Sequence, residues 1–163
     1  MKLYYDDPND FIPYMKPIEI RDSLYTTRYK VMRDPSLKNL HYVLHLTDAS
    51  GMKLATAKQT RLVLSTVPKF YLEINGRERR TELYYQKGEP FCTVSEPEWK
   101  IDGDPFLRLY DIMEGEQIAA SVQKSFTSKG SSIEIIIPDD QDEAEVLAAF
   151  MAIEACVNTY DAD

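Results

Sequence analysis

The stretch from Asp142 to Val157, DEAEVLAAFMAIEACV, constrains the fold of this chain more than any other segment. It is the only long segment with a clear helical pattern, and it is apolar almost all the way round. A helix of this kind has to be buried on every side. Most of the preceding chain has the pattern of short strands. The sequence therefore predicts a β-sheet built around one central helix.

The predicted helix has a bulky side and a small side when its residues are placed at about 100° intervals. The bulky residues are Val146, Leu147, Phe150, Met151, Ile153 and Val157, and the small ones are Ala144, Ala148, Ala149, Ala152, Ala155 and Cys156. We expect the small side to lie close to one wall of the sheet. Asp140 or Gln141 is the expected N-terminal cap, since acidic side chains are favourable at this end of a helix.

Glu154 is the residue that does not fit this apolar helix, because it projects within the bulky sector near the helix C-terminus. A carboxylate at that place is disfavoured by burial and by the helix dipole. Two arrangements would accommodate it. Glu154 either touches water at an open end of the sheet structure, or it is a buried acid paired with an Arg or Lys from a strand. A structural role of either kind is favoured over a ligand or proton-transfer role.

Residues 17–163 have the strand and turn pattern of a single domain. Apolar residues alternate with polar ones in many short segments, and Asn75-Gly76 between two such segments predicts a hairpin. This spacing of strands favours an antiparallel sandwich or barrel. Residues 1–16 lack a clear period and are interpreted as an N-terminal arm with room for one short strand. A weak repeat relates Leu46–Gln59 to Leu109–Gln123, with Asp48 and Asp111 expected to bond the backbone of their own turns.

The composition restricts the classes of partner. The 163 residues include 27 acidic and 19 basic side chains, with a formal net charge of −8. This balance argues against nucleic-acid binding, which requires a basic surface. The N-terminal residues lack the apolar core of a signal peptide, and the helical segment is too short and too charged to span a membrane. We therefore expect a cytoplasmic protein whose Cys92 and Cys156 are reduced and buried.

The densest basic cluster follows the Asn-Gly turn and gives the strongest binding-site hypothesis. Its members are Arg77, Arg79 and Arg80, joined by Lys53 and Lys58 from the preceding segment. Arg77 and Arg79 are placed on one strand face, where they could meet a phosphate or a phospholipid head group. The competing interpretation is a charged hairpin that resists edge-to-edge pairing, and the interleaved acids favour it.

Catalytic and metal-binding motifs are missing from the sequence. The only histidines, His41 and His45, would lie about 13 Å apart on a strand, too far to share a metal ion. The chain contains no nucleophile elbow, zinc-protease motif, phosphate-binding loop or dinucleotide fingerprint. We expect no metal site, no cofactor and no recognisable catalytic residue.

The segment from Trp99 to Val157 resembles the LURP-one-related family of the tubby C-terminal-like superfamily. The shared features are W-K-I-D-G-D at 99–104, L-Y-D-I-M-E-G at 109–115 and a final helix with A-I-E-A at 152–155. Family members often carry Asp where this chain has Glu154. The resemblance extends over roughly Pro17–Val157. It implies a closed antiparallel β-barrel of about 12 strands around a central C-terminal hydrophobic helix, a mainly β fold.

The superfamily also includes phosphoinositide-binding tubby-like domains and phospholipid scramblases. This chain lacks the Pro-rich N-terminal region, palmitoylated cysteines and calcium-binding acidic loop of scramblases. No catalytic residues are established for the LURP-one-related branch, so the resemblance assigns none here.

Three functions are hypotheses for such a barrel, and a filled interior favours the first. The leading one is a non-enzymatic binding module, peripheral to the membrane or free in the cytoplasm, that recognises a phospholipid head group or a protein partner on its outer surface. The second is an enzyme with a cleft at a barrel end, using Glu154 or another carboxylate. The third is a lipid-transfer barrel, which requires a hollow interior and therefore a helix packed outside.

Overall fold

The structure, a computed structural model, describes residues 1–6, 16–35, 42–59, 69–86, 89–95, 98–127 and 130–161. Within these residues the chain forms twelve strands followed by one helix. The strands are β1 (Lys2–Asp6), β2 (Ile18–Asp22), β3 (Thr27–Arg33), β4 (Val43–Asp48), β5 (Lys53–Gln59), β6 (Lys69–Ile74), β7 (Arg77–Gln86), β8 (Glu89–Val94), β9 (Trp99–Asp104), β10 (Leu109–Glu114), β11 (Gln117–Thr127) and β12 (Gly130–Ile136); the helix is α1 (Glu143–Asp161).

The strands form a closed antiparallel barrel in which each strand pairs with its neighbours in the chain. The pairing of β1 with β12 closes the sheet, with Lys2 opposite Ile136 and Asp6 opposite Ser132. Closure gives each of the twelve described strands two partners, so none of them is an edge strand that could pair with another chain. The predicted fold class, a mainly β barrel with one C-terminal helix, is confirmed.

β1 lies within the segment that the sequence analysis interpreted as an N-terminal arm. It pairs with β12 on one side and with β2 on the other, so it is part of the barrel wall. Leu3 and Tyr5 point inward and are 0% and 2% exposed. Two inward residues are too few to show a strand period in the sequence, which is why this segment had no clear pattern.

The Asn75-Gly76 turn connects β6 and β7 as the sequence predicted. Both residues have positive φ, 49° and 72°, which a two-residue hairpin turn with the twist of its strands requires. The two segments of the weak repeat form the hairpins β4–β5 and β10–β11. Their turns differ: Asp48 accepts hydrogen bonds from the Ser50 and Met52 amides, whereas Asp111 pairs with Ser121 inside the sheet, away from its turn.

The helix α1 begins one residue later and ends four residues further along than the predicted segment. The expected cap at Asp140 or Gln141 is wrong, because Gln141 bonds back to Pro138 in a turn. Asp142 is the cap instead: its carboxylate accepts a hydrogen bond of 2.9 Å from the Glu145 amide. This bond satisfies one of the amides that a helix leaves without an internal partner at its start.

The helix runs through the barrel, and every residue from Val146 to Val157 has no exposed surface. Its small side faces β7, where the Cys156 sulfur lies 4.0 Å from the Thr81 carbonyl oxygen. Its bulky side faces the opposite wall, where the Phe150 ring meets the Tyr5 ring edge-on at 5.5 Å between centroids. The small side therefore allows the close approach to one wall that the sequence predicted.

Replacing Ala149 with leucine is expected to destabilise the protein. Ala149 is fully buried on the small side, and extra methyl groups there would push the helix away from β7, at a cost of about 1–3 kcal/mol. Urea unfolding followed by circular dichroism measures the change. Leu147→Met on the bulky side is the control, with an expected cost below about 1.5 kcal/mol. Equal stabilities for Ala149→Leu and the parent would contradict the close packing.

Candidate functional site

The basic cluster predicted from the sequence is divided by the barrel wall. Arg79 points inward and is 2% exposed. Its guanidinium contacts Glu145 of α1 at 2.6 Å, donates to the Ser95 carbonyl oxygen at 2.9 Å and lies 4.2 Å above the Trp99 ring. Burial lowers the pKa of Arg79, while Glu145 and Glu114 act in the opposite direction. Arg79 therefore anchors the helix to β7 and is removed from the outer surface.

The hairpin register explains why Arg79 lies inside. The two-residue turn pairs Ile74 with Arg77 and Leu72 with Arg79. Because directly opposed residues share a face, Arg79 follows Leu72 into the core. The Asn75-Gly76 turn in the sequence already implies this register. The inward position of Arg79 also depends on Glu145, a partly exposed acid from the far end of the chain, and no local pattern indicates that partner.

A row of three side chains crosses the outer face of β5, β6 and β7. Lys58 is opposite Tyr71, and Tyr71 is opposite Arg80. We call these three residues the basic row. The Arg80 guanidinium lies 5.4 Å from the Tyr71 ring centroid and donates to its hydroxyl at 3.4 Å. All three side chains are exposed, Tyr71 by 40%.

The remaining predicted cations lie at different places. Lys53 is five residues before Lys58 on β5, which corresponds to roughly 16 Å along the strand. Arg77 lies at the beginning of β7, beside the Asn-Gly turn, and is exposed. Glu82 lies beside the basic row, where it pairs with Lys69 at 3.3 Å and with Arg80 at 3.8 Å. The structure thus brings Lys58 and Arg80 together, but not Lys53 or Arg77.

Glu154 is fully buried, which is the second of the two arrangements considered from the sequence. One of its carboxylate oxygens lies 3.3 Å from Arg108 Nε and accepts a hydrogen bond of 3.3 Å from the Tyr5 hydroxyl. Arg108 comes from the β9–β10 turn, and its side chain is 21% exposed. Arg108 therefore covers Glu154 at this end of the barrel and neutralises its charge.

The turn that carries Arg108 is held in a strained conformation. Arg108 has a φ of 51°, which is unusual for a residue with a side chain. The Asp104 carboxylate accepts a hydrogen bond of 2.8 Å from the Phe106 amide, and Arg108 donates to the Phe106 carbonyl oxygen at 3.0 Å. These bonds fix the turn so that the guanidinium reaches Glu154, and the ion pair offsets the strain.

The other ionisable groups in this interior are held in their neutral forms. Burial, and then the charge of Glu154, raise the pKa of the Tyr110 hydroxyl well above its usual value. Burial raises the pKa of Cys92 to about 12 and also raises that of Cys156. Both cysteines are free and buried, as the sequence predicted. Neither thiol has the lowered pKa of a reactive cysteine.

His45 belongs to a polar network on the outer face of β4. Its ring nitrogens lie 3.1 Å from the Thr56 hydroxyl and 3.2 Å from the Asp34 carboxylate. His41 lies outside the described residues. Across the described part of the chain, no group of three His, Cys, Asp or Glu side chains is arranged to hold a metal ion.

A second surface feature was missed by the sequence analysis. A groove of about 480 Å³ lies on the outer face of β2, β1, β12 and β11, and we call it the tyrosine groove. It is lined by Tyr4, Tyr5, Asp6, Arg21, Asp22, Ser23, Tyr25, Ser125, Ser132 and Glu134. These residues come from both ends of the chain, so no local pattern marks them. The one available signal was the Tyr4-Tyr5 pair, whose members were expected to point to opposite faces.

Comparison with known proteins gives one relevant match. The chain is 29% identical over 102 residues to the Bacillus subtilis protein YxjI, itself described as uncharacterized. The match covers 61% of this chain and 60% of YxjI, which is less than two thirds of either. No protein-family model matches the chain, and no solved structure matches it. Within the described residues, no helix has the length and apolar character needed to cross a membrane.

Replacing Arg79 with lysine is expected to destabilise the protein by about 1–2 kcal/mol. Lysine cannot keep both the stacking on Trp99 and the fork of hydrogen bonds to Ser95 and Glu145. Arg80→Lys, one residue away on the outer face, is the matched control and should change stability by less than about 0.5 kcal/mol. Urea unfolding gives both values. Equal effects at the two positions would contradict the inward placement of Arg79.

Replacing Arg108 with alanine is expected to cost about 3 kcal/mol, because it leaves the Glu154 carboxylate buried without its cation. Glu154→Gln should cost less, since Arg108 can turn toward solvent and glutamine can still bond to Tyr5. The double variant should recover part of the Arg108→Ala loss. Denaturation of the parent, both single variants and the double variant measures this coupling. Strictly additive losses would show that the two side chains do not interact.

Proposed function

We propose that this protein is a non-enzymatic binding module that recognises the phosphate of a phospholipid head group through the basic row. The observation that carries the proposal is the alignment of Lys58, Tyr71 and Arg80 on one exposed strip of the barrel. Opposed side chains on neighbouring strands lie about 5 Å apart. An ammonium group, a phenol hydroxyl and a guanidinium at this spacing can all donate to one phosphate group.

The filled interior supports an outer site over an inner one. A lipid-transfer barrel needs a cavity for acyl chains, and here α1 occupies the centre with Val146 to Val157 fully buried. The enzyme hypothesis gains no support from Glu154, whose carboxylate has no exposed surface and is covered by Arg108. The filled interior therefore supports a ligand site on the outside of the barrel, where the basic row offers a compact set of donors.

The electrostatics favour weak, salt-sensitive binding. Glu82 lies within 4 Å of both Arg80 and Lys69, and the whole chain has a net charge of −8. An anionic surface would be attracted to the basic row but repelled by much of the remaining protein. We therefore propose peripheral, reversible association with the cytoplasmic face of a membrane. Membership of the LURP-one-related family, which the sequence resemblance suggests, is consistent with this role.

A vesicle co-sedimentation experiment tests the proposal. The parent protein should bind vesicles containing phosphatidylserine or a phosphoinositide at low salt and should bind less at physiological salt. Replacing Lys58 and Arg80 with glutamine should weaken binding by about five-fold for each cation removed.

Lys124→Gln is the control, because it removes one exposed positive charge from β11, away from the basic row. Circular dichroism establishes that each variant is folded. Absence of binding by the folded parent at low salt, or equal losses for Lys124→Gln and the two basic-row substitutions, would overturn the proposal.

A further inference from the structure

The tyrosine groove is a feature of the barrel surface that the proposed function leaves without a role. Its volume of about 480 Å³ lies within the range of small-molecule sites, about 300–1,000 Å³. It lies on β2, β1, β12 and β11, whereas the basic row lies on β5 to β7. Strands β3 and β4 separate the two on one side of the barrel, and β8 to β10 separate them on the other. The two features therefore lie on opposite faces.

Tyr25 is presented at this groove by a strained turn. The residue has a φ of 61°, and its side chain is 68% exposed. Positive φ is disfavoured for a bulky residue, and an exposed ring gains little from packing that would offset the strain. The Asp22 carboxylate accepts hydrogen bonds from the Leu24 and Thr26 amides at 2.9 and 3.0 Å, which fixes the turn. The backbone that carries Tyr25 is thus fixed at the edge of the groove before any ligand arrives.

Tyr4 supplies a second ring, and its position is fixed by Glu134. Its hydroxyl donates to the Glu134 carboxylate at 3.0 Å, and Lys2 and Gln123 bond to the same carboxylate. Glu134 is 7% exposed although it points outward, so it forms the floor of the groove. Burial would raise the pKa of Glu134, but the bonds from Gln123, Lys2 and Tyr4 outweigh burial and lower it. Glu134 is therefore negatively charged at neutral pH.

The charges around the groove are negative in sum. Its lining contains three carboxylates, Asp6, Asp22 and Glu134, and one guanidinium, Arg21. The ion-pair partners Glu19, Lys2 and Arg28 bring the totals to four acids and three bases. The net charge of −8 adds to the negative potential of the whole molecule. An anionic ligand is disfavoured here, and a cation is favoured.

The geometry points to a binding site for an organic ammonium cation in the tyrosine groove, with the rings of Tyr4 and Tyr25 as its aromatic walls and Glu134 as its floor. Aromatic faces attract alkylammonium groups through the ring quadrupole. Because Lys2 already balances the charge of Glu134, the direct attraction comes from the excess of one carboxylate around the groove. The cation can be a choline-type head group or a methylated lysine side chain, which share this chemistry. The site is independent of the basic row, so either site can exist without the other.

A titration of isotope-labelled protein followed by NMR tests the site. Choline should shift the amide signals of strands β1 and β12 and of the Tyr25 turn in a saturable manner. The neutral isostere 3,3-dimethylbutan-1-ol has the same shape without the charge and should bind much more weakly. Phosphocholine and trimethyl-lysine amide are titrated in the same way. Tighter binding of phosphocholine would indicate a choline head group as the natural cation, and tighter binding of trimethyl-lysine amide would indicate a methylated lysine. Equal binding of choline and its neutral isostere, or no saturable shifts with choline, would overturn the inference.

Tyr25→Gly is the informative variant, because glycine adopts positive φ without strain and only the ring is lost. It should weaken choline binding by about five-fold, which corresponds to the loss of one cation–π interaction at a partly exposed site. Met52→Ala removes an exposed side chain from the β4–β5 turn, outside both the groove and the basic row, and should leave choline binding unchanged. Unchanged choline binding by Tyr25→Gly, or an equal loss with Met52→Ala, would count against the site. Failure of vesicle binding by the basic row would leave these outcomes unaffected.

Discussion

Burial of the apolar helix inside the barrel is the interaction on which the remaining structure depends. A helix that is apolar on all sides is not stable in water, and a twelve-strand barrel without a filling would have a hollow core. The barrel thus shields the helix from water, and the helix fills the core of the barrel. The small side of α1 sets its distance from β7, while Phe150 reaches across to Tyr5. The same contacts fix the positions of the two helix carboxylates, Glu145 and Glu154, that pair with arginines of the barrel wall.

Two partly buried ion pairs hold the helix at two points along its length. Near the start, Glu145 meets Arg79 beside Trp99, and about two and a half turns later Glu154 meets Arg108. Burying such charges is costly, and apolar residues at these positions would often be as stable. What the pairs add is position along the axis, because a helix with smooth apolar sides could slide or rotate within the barrel. This fixed register keeps the interior closed and leaves the outer faces for binding.

The sequence predicted those parts of the fold that depend on local pattern. The all-round apolarity of residues 142–157, the Asn75-Gly76 hairpin and the inward alternation of β4, β6 and β12 are local and were correctly interpreted. The predicted cap, Asp140 or Gln141, is one or two residues before the observed cap, Asp142. Several adjacent acids fit the sequence pattern of a cap equally well. Arg79 was assigned to the surface because its partner lies 66 residues away. The tyrosine groove depends on the pairing of β1 with β12, which no local pattern encodes.

The pairing of β1 with β12 also has a consequence for how the chain acquires its structure. Lys2 must meet Ile136, and the helix that fills the barrel comes later still in the chain. Such distant contacts raise the contact order. Chains of this kind fold slowly, because the entropy cost of closing a long loop comes before the stabilising contacts that the closed loop makes possible. During synthesis, the hairpins formed first would have an unpaired strand edge and an exposed apolar face until the C-terminal segment is made. Synthesis of β12 and α1 therefore determines when the risk of aggregation ends.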